Sequence, residues 1–180
     1  LSATNAFLAA GQIILIHQSQ YGTTGTTQVT KIQSYTAGTI TTEDALNATY
    51  TTGAQVIVIR QFTNFTVNAG ITLTAKAWNG TTGGIIPFYA NGVVTITGTI
   101  TASEKGYRGG SATIEPTDMG AQGESDLGMG IDDPSANGSG GGGGIYVGGN
   151  RPRIFGKGGY ATGTTDLTTM TFGGGGGSGN

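Results

Sequence analysis

Glycine is distributed unevenly along this chain, and its distribution divides the sequence near Gly106. The first 105 residues contain 11 of the 36 glycines, and the last 75 contain 25. Because glycine has no side chain to bury and loses the most backbone entropy on ordering, the two parts face different packing problems. We predict a β-strand-rich domain over residues 1–105 and a glycine-rich domain over residues 106–180, which we expect to continue beyond the given sequence.

The first domain shows the two-residue hydrophobic period of β-strands. In residues 94–101 (VTITGTIT), threonine alternates with valine and isoleucine, which is typical of a strand with one buried face. Helix patterns are nearly absent, and the strongest, residues 42–46, allows only a short helix. Short, closely spaced strands predict an all-β fold, either a β-sandwich or a β-solenoid. The strands are predicted at residues 12–18, 28–35, 39–42, 55–61, 63–67, 71–77, 84–89 and 93–102.

Pairs of residues that end in glycine separate these predicted strands. Tight turns need positive φ angles, which glycine adopts at little steric cost. We therefore expect positive φ angles in these turns. The pairs are Tyr21-Gly22, Ala37-Gly38, Thr52-Gly53, Ala69-Gly70, Asn79-Gly80 and Asn91-Gly92.

The second domain contains two runs of five glycines. Such runs are flexible linkers by default, but apolar groups at residues 145–147, 153–155 and 170–172 lie between and beside them, and a linker does not need such groups. We therefore predict packed, extended segments of the polyproline-II or polyglycine-II type, whose backbone N–H and C=O groups bond to neighbouring segments. The runs are Gly140, Gly141, Gly142, Gly143 and Gly144, and Gly173, Gly174, Gly175, Gly176 and Gly177.

The charge and the apolar content exclude some partners. Only 10% of the residues are charged, the net charge is -2, and no cluster of basic residues interleaves with aromatics. We therefore predict no binding of nucleic acid. No apolar stretch approaches the ~20 residues of a transmembrane helix, so we predict no membrane span. Cysteine is absent, which excludes disulfides and thiolate metal sites.

Four segments carry a resemblance to known proteins: residues 70–84 (GITLTAKAWNGTTGG), 92–100 (GVVTITGTI), 106–110 (GYRGG) and, more weakly, 11–18 (GQIILIHQ). They resemble the β-rich segment that precedes glycine-rich tracts in large bacterial surface or secreted proteins. The glycine runs also resemble phage tail-tip adhesins, in which polyglycine-II helices stack and connecting loops touch the host receptor. The resemblance implies an exported, non-catalytic fibre or surface element, extracellular or on the cell surface, or alternatively part of a virion.

Two sets of residues are candidates for chemistry. His17 is the only histidine, and without cysteine or a second histidine we interpret it as a structural imidazole rather than a zinc ligand. Six of the ten carboxylates lie between residues 115 and 133, and oxygen-rich loops are able to wrap Ca²⁺. The spacing matches neither an EF-hand nor a calcium β-roll, so a solvated acidic loop is the simpler interpretation, and no other cofactor is predicted. The candidate calcium ligands are Asp126, Asp132 and Asp133.

These observations favour a non-catalytic structural subunit of an extracellular filament or surface fibre, whose partners are copies of itself. Strand edges and bare glycine backbone expose hydrogen-bonding groups that another copy is able to satisfy. The hypothesised contacts are both glycine runs and an N-terminal arm over residues 1–10, with Leu1, Phe7 and Leu8 as its apolar residues.

Two alternatives stay open from the sequence. The chain is an adhesin if loops of the glycine-rich domain bind a surface glycan or a protein receptor, and a closed trimer rather than an open helical array would indicate this. It is a carbohydrate-active β-solenoid enzyme if the clustered carboxylates line a cleft, since paired acids cleave glycosidic bonds. Because those acids are confined to one loop, we rank the enzyme last and expect no catalytic residues.

Overall fold

The computed structural model describes residues 7–110, 123–125 and 169–172. These residues form β-strands and no helix, which confirms the all-β prediction for this part of the chain. Residues 42–46 do not form the short helix that their pattern allowed, because Thr42 ends a strand and a bend follows it. The strands are β1 (Ile13–Gln18), β2 (Thr27–Thr36), β3 (Thr39–Thr42), β4 (Ala54–Val58), β5 (Arg60–Phe62), β6 (Phe65–Val67), β7 (Thr72–Thr74), β8 (Phe88–Ala90), β9 (Val94–Ile96) and β10 (Thr99–Thr101).

Strand β1 is a central strand of a four-stranded antiparallel sheet with the order β3-β2-β1-β4. Its continuous apolar run is typical of a strand that is buried on both faces. On one face, Ile14 and Ile16 pack with Ile32 of β2 into a first core. The opposite face carries Leu15 and His17, which are also buried. The imidazole therefore lies on the face of the sheet opposite to the first core.

A two-residue turn joins β2 to β3. Thr36 pairs with Thr39, and the two residues between them, Ala37 and Gly38, have φ angles of 48° and 84°. Two successive positive φ angles define the type I′ turn, whose twist matches that of an antiparallel hairpin. Alanine is poorly suited to the first position, because its Cβ crowds the following carbonyl oxygen. The turn is therefore strained at one residue.

The other predicted turns agree with the structure except at Gly92. Among the six predicted turn glycines, positive φ is found at Gly22, Gly38, Gly53, Gly70 and Gly80. Gly92 lacks it and is needed for a different reason: a Cβ there would lie 2.3 Å from Asn64 Oδ1 and 2.7 Å from the Thr63 carbonyl oxygen. The missing side chain lets two passes of the chain approach closely.

Residues 60–101 form three parallel two-stranded pairs, β5 with β8, β6 with β9 and β7 with β10. The paired residues are 28, 29 and 27 positions apart in the sequence. Parallel pairing at a nearly constant offset means that the chain completes one circuit and then follows its own path a second time. Pairs in register are Arg60 with Phe88, Phe65 with Val94, and Thr72 with Thr99.

The strands of these two circuits are shorter than the sequence predicted. Residues 93–102 keep the alternation of one long strand, but the structure divides them into β9 and β10 with a corner at Gly98. A Cβ at Gly98 would lie 2.3 Å from the carbonyl oxygens of both Asn68 and Ile71. Periodicity missed this corner because the alternation continues on both sides of it.

We expect Ala37→Asn to raise the free energy of unfolding by about 0.5–1 kcal/mol, because asparagine tolerates the left-handed conformation in which alanine is strained. Urea unfolding, followed by the fluorescence of Trp78, measures the change. Thr39→Asn, at an exposed strand position of the same hairpin, is the control, and we expect it to be neutral or destabilising. An Ala37→Asn variant no more stable than the parent would contradict the proposed strain.

Candidate functional site

The candidate site lies beside β1, where parts of the chain far apart in sequence meet. Residues Thr169–Phe172, called the C-terminal segment below, lie against residues of the 7–110 region. The ring of Phe172 stacks on His17 with centroids 5.9 Å apart, and it meets Trp78 and Tyr107 at steep angles with centroids 5.6 and 5.1 Å away. Trp78, Tyr107 and Phe172 form a second buried core, against which Ile85 packs. The C-terminal segment thus completes a core built mainly from residues of the 7–110 region.

The buried imidazole of His17 holds the backbone of this segment. Its Nε2 atom lies 2.6 Å from the Met170 carbonyl oxygen, and its Nδ1 atom lies 2.8 Å from Ser19 Oγ. A carbonyl oxygen only accepts, so Nε2 carries the proton and donates it to Met170. In the neutral ring Nδ1 then accepts from the Ser19 hydroxyl. Both ring nitrogens are satisfied, as expected of a structural imidazole.

Ser19 is fully buried and links the imidazole to two further side chains. Its hydroxyl accepts a hydrogen bond of 2.6 Å from Gln55 Nε2, and its carbonyl oxygen accepts one from the Tyr107 hydroxyl. The Gln55 amide also pairs with Gly83, accepting from its N–H at 3.0 Å and donating to its carbonyl at 3.2 Å. A serine beside a histidine resembles a nucleophile and its base, but this hydroxyl is buried and engaged on both sides. The arrangement positions groups rather than offering one for reaction.

Burial lowers the pKa of His17, because desolvation disfavours the imidazolium ion. The hydrogen bond to the Met170 carbonyl acts in the opposite direction and is the smaller effect. The neutral ring is therefore the form that fits the folded protein, and protonation of His17 opposes folding.

Two glycines leave room for the C-terminal segment. A Cβ at Gly25 would lie 2.1 Å from Thr169 Cγ2 and 3.0 Å from Thr171 Cγ2, and a Cβ at Gly84 would lie 2.6 Å from Phe172 Cζ. Both glycines also have positive φ angles, of 86° and 79°. We call the surface formed by His17, Gly25, Trp78, Gly84 and Tyr107 the groove; its shape matches the C-terminal segment and leaves no room for larger residues at the two glycines.

A second short stretch, residues 123–125, docks beside the groove. The Glu124 carboxylate is buried and accepts hydrogen bonds from Arg108 Nε at 2.8 Å and Nη2 at 2.7 Å, and from the Arg108 backbone N–H at 2.9 Å. Gln20 Nε2 donates to the Ser125 carbonyl oxygen at 2.9 Å. Residues on both sides of the 126–168 stretch are therefore held near the start of the fold.

Arg108 controls the ionisation of Glu124. Burial raises the pKa of this carboxyl, but the hydrogen bonds and the charge of Arg108 outweigh burial and bring the pKa below its usual value. The carboxylate stays ionised and paired at neutral pH.

The structure describes only some of the residues that the sequence put forward. Phe7 is 81% exposed, and Leu8 packs against the first core of its own chain. Among the described residues, no group of three or more His, Cys, Asp and Glu side chains is placed to hold a metal ion, and Glu124 of the acidic stretch pairs with Arg108. The other predicted residues lie outside the described part: Leu1, the candidate calcium ligands Asp126, Asp132 and Asp133, and both glycine runs, 140–144 and 173–177.

Sequence reasoning missed most of the groove. It identified His17 and the apolar group at residues 170–172 separately, but not that they touch, and it did not select Ser19 or Gln55. One signal was present: the polar residues 17–20 follow the apolar run of β1 without a turn residue between them. Polar side chains that continue a buried strand are expected to pair with one another.

Comparisons of the chain with protein-family models, with curated proteins and with solved structures found no match. The resemblance to bacterial surface proteins and to phage adhesins therefore stays a prediction. Among the described residues, no helix is long and apolar enough to cross a membrane.

The free energy of unfolding is expected to fall as the pH drops below about 6.5, the ordinary pKa of histidine. The folded state lowers the pKa of His17, so below this pH the unfolded chain binds more protons, with a slope of at most about 1.4 kcal/mol per pH unit. The loss continues until the pH reaches the lowered pKa of the folded state. Urea unfolding at pH 8, 7, 6 and 5 measures it, with His17→Gln as the control that lacks this titration. Equal slopes in both proteins between pH 7 and 5 would refute the assignment.

We expect Phe172→Ala to lower the free energy of unfolding by about 3–5 kcal/mol, since it empties the middle of the second core. Phe7→Ala removes the same atoms from an exposed position and is the matched control, expected to change stability by less than about 0.5 kcal/mol. Denaturant unfolding of the three proteins provides the comparison. Similar small effects for both variants would mean that the C-terminal segment does not belong to the core.

Proposed function

We propose that this chain is a non-catalytic structural subunit of an extracellular filament or surface fibre, and that it assembles with copies of itself. The observation that carries the proposal is the pairing of residues 60–101 as two circuits in parallel register. We interpret these circuits as two coils of a β-solenoid. Such a structure lengthens by adding coils, because each coil presents strand edges to the next.

The strand edges of the second coil support growth in this direction. Within the described part of the chain, β8, β9 and β10 each have one hydrogen-bonded neighbour. Their other edges present backbone groups with which an added strand is able to pair. A further coil supplied by a second copy would satisfy all three edges together.

The side chains of the second coil support the same interpretation. Val67 in β6 pairs with Ile96 in β9, and residues paired in parallel register point to the same face of the sheet. Val67 is only 4% exposed, whereas Ile96 is 49% exposed and Val94, two positions before it, is 43% exposed. The face that is covered in the first coil is thus open in the second. A third coil would bury these two side chains.

The sequence-based contacts are part of the proposal. The N-terminal arm begins before the sheet, and its Phe7 side chain is exposed, which suits a contact with a second copy. The two glycine runs, 140–144 and 173–177, are proposed to pack backbone against backbone with neighbouring copies.

A second candidate function is adhesion to a surface glycan or protein receptor. It is favoured by the positions of Ser125 and Met170. His17, on β1, donates to the Met170 carbonyl oxygen, and Gln20, just after β1, donates to the Ser125 carbonyl oxygen. The described residues on either side of 126–168 are therefore held at one place on the fold. Stretches anchored at both ends suit the presentation of binding loops on a rigid base.

Electron microscopy of the purified chain tests the proposal, and we expect open helical polymers. Ile96→Lys should raise the concentration needed for polymer formation by at least about tenfold, because it puts a charge on the face that the next copy covers. Thr95→Lys, exposed on the opposite face of the same strand, is the control and should polymerise like the parent. Unfolding curves of both variants check that the fold is intact.

Discrete trimers would reject the filament and make adhesion the leading function. A strong loss of monomer stability in Ile96→Lys, without a change in polymer formation, would mean that residues of the same chain cover this face.

A further inference from the structure

The C-terminal segment contacts the groove through three of its four residues, Thr169, Thr171 and Phe172. Thr169 and Thr171 both lie over Gly25, whereas the Met170 side chain between them is 41% exposed. Phe172 enters the pocket between Trp78 and Tyr107. The two threonines contact the groove at Gly25 and the aromatic ring contacts it at a separate pocket, so the groove recognises the segment at more than one point.

The backbone of the segment is bound independently of its side chains. His17 donates to the Met170 carbonyl oxygen, and this bond holds for any residue at position 170. Side-chain selectivity comes instead from the space above Gly25 and Gly84, where any larger residue would collide with the segment. The groove therefore has the features of a peptide-binding site that accepts small β-branched residues followed by an aromatic ring.

The connection between the groove and the C-terminal segment is long enough for the two to belong to different copies of the chain. Forty-three residues, 126–168, connect the docked Ser125 to Thr169, and a chain of this length is able to span up to about 150 Å. The contacts of the segment are the same whether it comes from its own chain or from another. Only the effective concentration of the segment at the groove differs between the two cases. In an assembly, segments of neighbouring copies approach the millimolar effective concentration that is typical of a segment linked within the same chain.

We propose that the groove binds the C-terminal segment of a second copy, so that copies in the assembly are joined by exchange of residues Thr169–Phe172. The inference rests on the proposed self-assembly and identifies the partner surface for it. Exchange adds a connection that is separate from the stacking of coils, because the groove lies beside β1 and not on β9. A copy that receives a segment also gives one, which makes the connection continuous along an open polymer.

A synthetic peptide with the sequence of residues 167–174 (LTTMTFGG), labelled at its N-terminus, tests recognition by the full chain. Phe172→Ala weakens the chain's own segment and leaves the groove residues unchanged. We expect the peptide to bind this variant at least about tenfold more tightly than the parent, whose linked segment competes. The emission of Trp78, the only tryptophan, should shift on binding. A peptide with alanine in place of the phenylalanine is the control.

Equal binding of both peptides, or equal binding to parent and variant, overturns the proposal. Phe172→Leu keeps an apolar side chain in the core and serves if Phe172→Ala does not fold. With Phe172→Leu the peptide should still bind more tightly than it does to the parent, and an absence of such binding also overturns the proposal.

Exchange between whole chains is tested by mixing two variants. Phe172→Ala has a functional groove and a weakened segment, whereas Gly84→Val has an intact segment and a groove blocked at the Phe172 position. Native mass spectrometry should detect a mixed complex of the two variants. This complex should form at a much lower protein concentration than is needed for either variant to form a complex with itself. Peptide binding without this complex overturns exchange. If Phe172→Ala polymerises as readily as the parent, exchange is wrong but the filament proposal stands. If the parent never polymerises, the filament proposal itself is wrong.

Discussion

The hydrogen bond from the neutral His17 imidazole to the Met170 carbonyl connects the two ends of the described structure. It needs a buried, uncharged ring, and that ring is fixed by Ser19, which in turn depends on Gln55 and Tyr107. Buried polar networks are stable only when every member is satisfied. Removal of the C-terminal segment would leave a donor without its acceptor and an aromatic pocket without Phe172, so the sheet and the second core depend on the same contact.

The two halves of residues 7–110 follow different rules. The antiparallel sheet combines two local hairpins, β1-β2 and β2-β3, with the non-local pairing of β4 to β1, and strand β1 is buried on both faces. The parallel pairs of residues 60–101 depend on repetition: a nearly constant offset places like positions above one another, and glycines at 92 and 98 remove side chains where successive passes meet. Repetition of this kind has no intrinsic end, which is why we propose that another copy binds at strands β8, β9 and β10.

The sequence predicted local features well and long-range ones poorly. Strands β1, β2 and β3 agree with prediction to within one residue at each end, because apolar runs and turn glycines bound them. Periodicity reports that residues are extended but not which strands they pair with, so the parallel offset was not foreseen. The groove joins residues that are 153 positions apart, His17 and Met170, and no single-sequence pattern links such positions. Only the polar residues 17–20, which follow the apolar run of β1, indicated that buried polar groups there need hydrogen-bond partners.

The separation of 153 positions between His17 and Met170 delays their contact during synthesis of the chain. At about 5–20 residues per second, synthesis of the stretch between His17 and Met170 takes roughly 8–30 seconds. During that time the early strands exist without their last partner, and closing so long a loop also carries an entropic cost. A chain that stops early therefore keeps an unfilled pocket, whereas a chain that reaches Phe172 closes it. Among the described residues, the contacts of Phe172 are therefore the last that the growing chain is able to make.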